Sequence, residues 1–258
     1  MIYIESKDNN LFKNIKKLKE KRYRIRENKF LLEGFRIVEE AIKAKVDLEY
    51  IVINIELQDK VENLEVYKEN SKIIFLSKTL FIQLSDTENS QGIIAVVKNK
   101  INDKNIEGNF FVICDKVQDP GNLGTIIRTS HAAGVEGIIL TKGTADIYNE
   151  KTIRSTMGSI FYIPIYYDDE NFSIIKDLKD KGVSLVATSL QGARNFFEED
   201  LKGKIMIAVG NEGNGISEEL FHLSDKKVKI PMPGEAESLN VAVATSIILF
   251  EKVRQNLI

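Results

Sequence analysis

The stretch "IPMPGEAESLNVAVATSIILFEKV", Ile230–Val253, decides how the chain is read. Its second half is apolar on every side, the pattern of a helix buried all round. Its first half holds two prolines, a glycine, two glutamates, a serine and an asparagine. Pro231 and Pro233 stop the preceding strand "KKVKI", and Gly234 permits a sharp bend. Ser238 reads as the N-cap of the helix. Capping accounts for Ser238 but leaves Asn240 and Thr245 unexplained, two polar groups entering an apolar helix.

Upstream the same grammar repeats. Strand candidates are "FFVICDKV", "GIILT", "YIPIYY", "VSLVATS", "KIMIAVG" and "KKVKIPM", alternating with helix-like segments such as "NLGTIIRTSHAAG" and "NFSIIKDLKDKG". Uninterrupted Val/Ile/Leu strands between helices predict a parallel sheet covered on both faces. In such sheets ligands collect beyond the carboxyl ends of the strands, and two further polar clusters fall there. In "DKVQDPGNLGTIIRTSHAAG", Pro120 and Gly121 form a turn and Asn122 is placed to cap the next helix. Arg128 follows nearly two turns later among Ile126, Ile127 and Ala132 and needs a partner, either a structural carboxylate or an anionic group of a substrate. In "IAVGNEGNGIS", three glycines in six residues bring backbone groups close to whatever binds. Neither a Walker loop nor a dinucleotide fingerprint is present, and a tight structural turn explains the glycines alone. Glu212, between those glycines, is a candidate to hold a cation or a hydroxyl.

The first hundred residues form a different α/β unit, with segments such as "KFLLEG", "FRIVEEAIKA", "LEYIVIN", "VENLEVYKEN" and "GIIAVVK". Before it, "KNIKKLKEKRYRIRENK" at 13–29 holds nine Lys/Arg against two Glu. Leu11, Ile15, Leu18, Ile25 and the stem of Arg22 fit a helical period. A charge run is usually a solvated face, but one sign of charge with Tyr23 inside it equally suits a phosphate-binding arm. The expected organisation is a basic helical arm at 1–28, an α/β domain at 29–98, a polar linker at 99–109 and the parallel-sheet domain at 110–258.

Composition narrows the function classes. The chain has 258 residues and a formal net charge of -2, so it is no polycation, and any nucleic-acid contact rests on local clustering. Cys114 is the one cysteine, which excludes an internal disulfide and a cysteine-rich zinc site; within "FFVICD" it reads as a small core residue. With only His131 and His222, a histidine metal site is not expected. No apolar run suits a signal peptide or a membrane span, so a cytoplasmic protein is expected.

The segments "DPGNLGTIIRTSHAAG", "IAVGNEGNGIS" and "IPMPGEAESLNVAVATSIILFE" resemble, in order, the three motifs of the SpoU/TrmH branch of the SPOUT methyltransferases. The resemblance spans roughly 108–256 and includes "NEKTIRSTMGSIFYIPI". "FLLEGFRIVEEAI" and "SQGIIAVV" resemble the L30e-like substrate-binding domain of rRNA-directed members. The resemblance implies an α/β fold whose parallel-sheet domain carries a deep trefoil knot, otherwise essentially absent from proteins, and which assembles as a homodimer. It implies methyl transfer from S-adenosylmethionine to a ribose 2′-hydroxyl of RNA, without a metal. Gly210, Ile230 and Leu239 match the family's cofactor contacts, with Met232, Gly234 and Ser238 in the same turn and Thr188 and Ser189 beside the adenine. Asn122, Arg128, Glu212, Ser238 and Asn240 match its catalytic set. The family's arginine is proposed as a general base; a guanidinium stays protonated, so gripping a phosphate is the better role for Arg128. The α/β domain ahead of the sheet domain favours rRNA over tRNA as substrate. The alternative from another class is a non-catalytic RNA-binding ribosome-assembly factor.

Overall fold

A computed structural model describes residues 1–61, 72–87, 89–99, 106–189, 194–234 and 237–257. Beyond residue 61, the helix-like segment expected at 61–70 lies outside the described residues, as does most of the linker. The chain forms two compact units, Met1–Ile101 with Tyr148–Phe161, and Asn102–Ile147 with Tyr162–Ile258.

The first unit contains β1 (Ile2–Ile4), α1 (Asn10–Lys17), α2 (Lys21–Glu27), β2 (Lys29–Glu33), α3 (Phe35–Lys43), β3 (Leu48–Asn54), α4 (Gln58–Val61), β4 (Lys72–Leu76), α5 (Lys78–Leu84) and β5 (Ile93–Lys98). Its sheet runs β1-β4-β3-β5-β2, parallel through β1, β4 and β3, antiparallel through β5 and β2. Side chains alternate across a strand, and both faces are covered. Ile51, Ile53, Ile93, Ala95 and Val97 meet Val38, Ala41 and Ile42 of α3. Val52, Ile74, Ile94 and Val96 meet Phe12 and Ile15 of α1, Leu18 just beyond it, and Leu80, Phe81 and Leu84 of α5.

The lysine-rich segment is thus part of this unit's body rather than an arm beside it. Asn9 caps α1 through its side chain, and the helix ends at Leu18 instead of running through Ile25, which is exposed. The second half restarts as α2. There Tyr23 is surrounded by cations: Lys17 Nζ, Arg22 Cζ and Arg26 Cζ lie 5.5, 4.7 and 4.5 Å from its ring centroid.

The second unit's chain gives β6 (Phe110–Cys114), α6 (Pro120–Ala132) and β7 (Gly137–Leu140). Then comes α7 (Glu150–Thr156), which folds with the first unit: Ile153 enters that core and Tyr148 stacks on Phe30 at 4.2 Å. Arg154 meets Glu150 one turn back at 3.5 Å. The remainder is β8 (Ile165–Tyr167), α8 (Ser173–Asp180), β9 (Ser184–Thr188), β10 (Arg194–Asn195), β11 (Ile205–Val209), α9 (Glu218–Leu223), β12 (Lys226–Lys229) and α10 (Val241–Leu257). The seven-stranded sheet runs β10-β12-β9-β11-β6-β7-β8 with every pair parallel, as the unbroken apolar strands predict. Every residue of β6, β7 and β11 is buried. Ile175 and Leu178 of α8 and Leu220 of α9 pack with Phe111, Ile113, Ile139, Leu185, Met206 and Ala208. α6 and α10 pack side by side, joined by Ser246 Oγ and Thr129 Oγ1 at 3.3 Å.

Two helix starts differ from expectation. The N-cap of α6 is Asp119, whose Oδ1 accepts from Asn122 N at 2.8 Å, with Pro120 as the first helical residue. Asn122 is therefore inside the helix and free of capping duty. α10 begins at Val241, two residues later than a Ser238 cap implies. Asn240 is the cap, its Oδ1 accepting from Ala242 N at 2.9 Å and Val243 N at 3.3 Å. Both stretches contain two residues of capping type, and backbone course decides between them. Nor is α10 buried all round: Val243 and Phe250 are 49% exposed and Leu257 81%.

Candidate active site

Parallel pairing sets the carboxyl ends of β12, β9, β11 and β6 side by side, each about 4.8 Å from the next. Ile230, Thr188, Gly210 and Asp115 are thereby delivered to one edge. Adjacency, which the linear sequence does not state, makes a site of the three turns.

Side-chain bonds join these turns. The Glu212 carboxylate accepts from Gln118 N at 3.2 Å, Asp119 N at 3.1 Å and Asn122 Nδ2 at 2.9 Å. Asn122 Oδ1 in turn accepts from Asn240 Nδ2 at 2.9 Å. Glu212, Asn122 and Asn240 thus form one chain of bonds across the first, second and third motif turns, each amide fixed in orientation by what it meets at both ends. Partial burial pushes the Glu212 carboxyl up, but the Asn122 amide and the backbone N–H donors outweigh it and hold it below its ordinary value. Glu212 is therefore an ionised anchor for the Gln118–Asn122 turn, and no cation is needed to explain it.

Beneath this chain lies a second set of bonds that the sequence reading missed. Asp115 is fully buried; its Oδ1 accepts from Thr141 Oγ1 at 2.7 Å and its Oδ2 from Ser217 N at 2.6 Å. Asn211 Nδ2 donates to Lys116 O at 3.0 Å, while Asn211 Oδ1 accepts from the amides of Gly213 and Asn214, each at 3.0 Å. Asn211 and Gly215 close the loop with reciprocal backbone bonds of 2.8 and 2.9 Å. A Cβ on Gly210 would fall 2.1 Å from Gly215 C, so that glycine is required by the closure itself. A carboxylate directly after an all-apolar strand was the available signal for Asp115. Burial raises the neighbouring Cys114 thiol to about 12, in keeping with a core residue.

The other expected residues are placed as follows. Thr188 Oγ1 donates to Ala208 O at 3.0 Å and Ser189 N to Val228 O at 2.9 Å, so both tie neighbouring strands together. Ile230 and Met232 are half-buried; Gly234, Ser238 and Leu239 are exposed. Among the described residues, Met232, Gly234, Ser238 and Leu239 have no hydrogen bond to protein. That leaves a run of open backbone groups at the sheet edge, suited to a ligand read by backbone contacts. Arg128 is exposed, outside the Glu212–Asn122–Asn240 chain, and without a hydrogen bond or ion pair among the described residues. Six residues along a helix is about 9 Å and roughly 120° around the axis from Asn122, so the two do not share one side of α6. The alternative of a structural Arg–carboxylate pair finds no partner there.

Comparison with known proteins agrees with this architecture. Residues 109–250 match the model of the SpoU rRNA Methylase family, and residues 9–95 match the MRM3-like substrate binding domain. A Bacillus subtilis relative, the 23S rRNA (guanosine(2553)-2′-O)-methyltransferase RlmP, is 38% identical over 97% of this chain and 98% of its own. The AdoMet-bound rRNA methyltransferase of Sinorhizobium meliloti superposes with a TM-score of 0.87 at 32% identity, covering 99% of this chain and 98% of the other. The SpoU methyltransferase AviRb of Streptomyces viridochromogenes, solved with AdoMet, gives 0.87 at 27% identity, covering 96% and 98%. With its motif turns joined at one sheet edge and its sequence matched along nearly all its length by such a relative, this chain belongs to the SpoU rRNA methylase family.

Proposed function

We propose that this protein transfers a methyl group from S-adenosylmethionine to a ribose 2′-hydroxyl of 23S rRNA. The observation that carries the reading is the Glu212–Asn122–Asn240 chain, which ties three motif turns together beside the open backbone of Met232, Gly234, Ser238 and Leu239. The residues present fit the cofactor. Gly210 lets the β11 end close tightly on Gly215, and the unpaired backbone groups of Met232, Gly234, Ser238 and Leu239 are available to an adenosine and an amino-acid moiety. When bound, S-adenosylmethionine supplies a methyl group already activated by its sulfonium. The protein's task is positioning. Ser238 and Leu239, just ahead of the α10 cap, hold the third turn against the cofactor; Thr188, Ser189 and Ile230 shape the pocket floor. Asn122 and Asn240 fix the turns against each other. Arg128, a free cation on α6, grips an RNA phosphate and aligns the ribose.

The basic face of α1 and α2 in the matched substrate-binding domain draws the RNA in through phosphate contacts. The chain pairs as a homodimer through α10, where Val243, Phe250 and Leu257 recur every seven residues as one exposed apolar stripe. Placement of β12 between β10 and β9, with Asn240 returning to α6, is consistent with a C-terminal chain drawn through a loop as a trefoil knot. Among the described residues no helix is long and apolar enough to cross a membrane, and a cytoplasmic site of action goes with an rRNA substrate.

The test is Arg128→Ala with labelled S-adenosylmethionine and rRNA. Methyl transfer should be lost while cofactor affinity stays near wild type. Full activity would remove Arg128 from the mechanism. Label entering tRNA alone would move the substrate class, and label in neither RNA pool would favour a non-catalytic RNA-binding factor.

A further inference from the structure

Five non-glycine residues of the described chain have positive φ: Asn28, Lys45, Lys116, Met157 and Phe172. Four sit at helix boundaries. Asn28 and Met157 are the C-caps of α2 and α7, Lys45 follows the C-cap of α3, and Phe172 precedes α8. Left-handed residues are ordinary at helix C-termini, which accounts for Asn28, Lys45 and Met157, whereas Phe172 leads into α8. Lys116, at φ 56, has no such reason, since it lies in the loop between β6 and α6.

The loop holds it there from both sides. Lys116 N donates to Thr141 Oγ1 at 3.2 Å, and its carbonyl accepts from Asn211 Nδ2 at 3.0 Å. Immediately before it, Asp115 is clamped by Thr141 and Ser217. The bonds that assemble the candidate site therefore also fix this residue in a conformation that glycine takes at lower cost. Yet the position carries a long cation. Its stem passes Gly143, where a built Cβ would be 3.3 Å from Lys116 Cγ. The side chain is exposed, and its ammonium has no hydrogen bond or ion pair among the described residues. A turn alone calls for glycine; an unpaired ammonium carried by a fixed backbone at the carboxyl edge of the sheet calls for an anion.

We infer that Lys116 is an RNA-anchoring residue, whose ammonium holds a backbone phosphate close to the target ribose. The inference rests on the methyltransferase reading above and adds to it a contact on the β6–α6 loop. Holding the loop backbone rigid places the ammonium in register with Asn122 and Asn240, while the flexible stem adapts to the phosphate.

The experiment compares wild type, Lys116→Gly and Lys116→Arg in methyl transfer to 23S rRNA over a potassium chloride series. Cofactor affinity and Tm are measured alongside. Lys116→Gly relieves the left-handed backbone, so its Tm should equal or exceed wild type and its cofactor affinity should be unchanged. Its KM for RNA should rise several-fold. The slope of log KM against log salt should become shallower by roughly 0.7–0.9, the release expected for one phosphate contact. Lys116→Arg should restore both. A Gly variant with wild-type KM and slope, or with a raised KM but an unaltered slope, would make Lys116 a turn residue only. A Gly variant with weakened cofactor binding would reassign it to the cofactor pocket and overturn the inference. A wild-type protein that methylates no RNA would instead overturn the underlying reading and this inference with it.

Discussion

At the residue scale, the site depends on two asparagines whose amides point in opposite senses. Asn240 uses its oxygen to cap α10 and its nitrogen to hold Asn122; Asn122 uses its oxygen for Asn240 and its nitrogen for Glu212. Asn240→Asp separates these duties, since aspartate caps a helix as well as asparagine but has no N–H to donate. Tm should stay near wild type, whereas Asn240→Ala should lose about 1 kcal/mol with the cap. Losing one bond of about 1.4 kcal/mol corresponds to roughly tenfold in kcat/KM. Wild-type methyl transfer by Asn240→Asp would show that the bond to Asn122 does not matter. Asn122 is noticed in the sequence only as a cap, whereas Glu212 and Asn240 stand out because the caps expected at Asn122 and Ser238 leave them without a local role. Asp115 and Asn211 do not, because their meaning lies in partners as distant as Ser217 and Lys116. A single sequence shows a polar residue but not the loop it meets.

At the element scale, the strands of the second unit are legible because both-sided burial writes a continuous apolar run. The helix starts are less so, since Asp119 and Asn122, or Ser238 and Asn240, are equally good caps and only the backbone course chooses. The basic segment shows the same limit. Its charge is readable, but α1 also sends Phe12 and Ile15 into the core, with Leu18 beyond its end. Removing residues 1–28 would therefore expose that face of the sheet and test folding rather than RNA binding. Replacing Lys17, Arg22 and Arg26 by alanine leaves the core intact. Arg22 and Arg26 already meet Glu20 and Glu27 at 2.9 and 2.8 Å in exposed pairs of little energetic weight. If the face holds phosphates, RNA affinity should fall and its salt dependence flatten by roughly one unit of slope for each phosphate no longer neutralised. An unchanged slope in filter binding would return these cations to the role of a solvated surface.

At the scale of the whole molecule, two cores divide the chain, and the division does not follow sequence order. Tyr148–Phe161 leaves the second unit's run to pack with the first. Periodicity identifies α7 as a helix but cannot say which core receives Ile153. The exposed stripe on α10 is likewise hidden in a segment that reads as apolar throughout. If Val243, Phe250 and Leu257 meet a second copy, Phe250→Glu should convert a dimer to a monomer in sedimentation velocity without a lower Tm for either unit. A wild-type protein that sediments as a monomer would remove the homodimer. The central claim, that the joined motif turns direct a methyl group onto an RNA ribose, has a more direct test. Unmodified 23S rRNA is incubated with the wild-type protein and methyl-labelled S-adenosylmethionine, and the labelled nucleotide is mapped. The expected result is a 2′-O-methylated ribose at a defined position, lost in Arg128→Ala. Label on a base, or no transfer to any RNA despite bound cofactor, would contradict it.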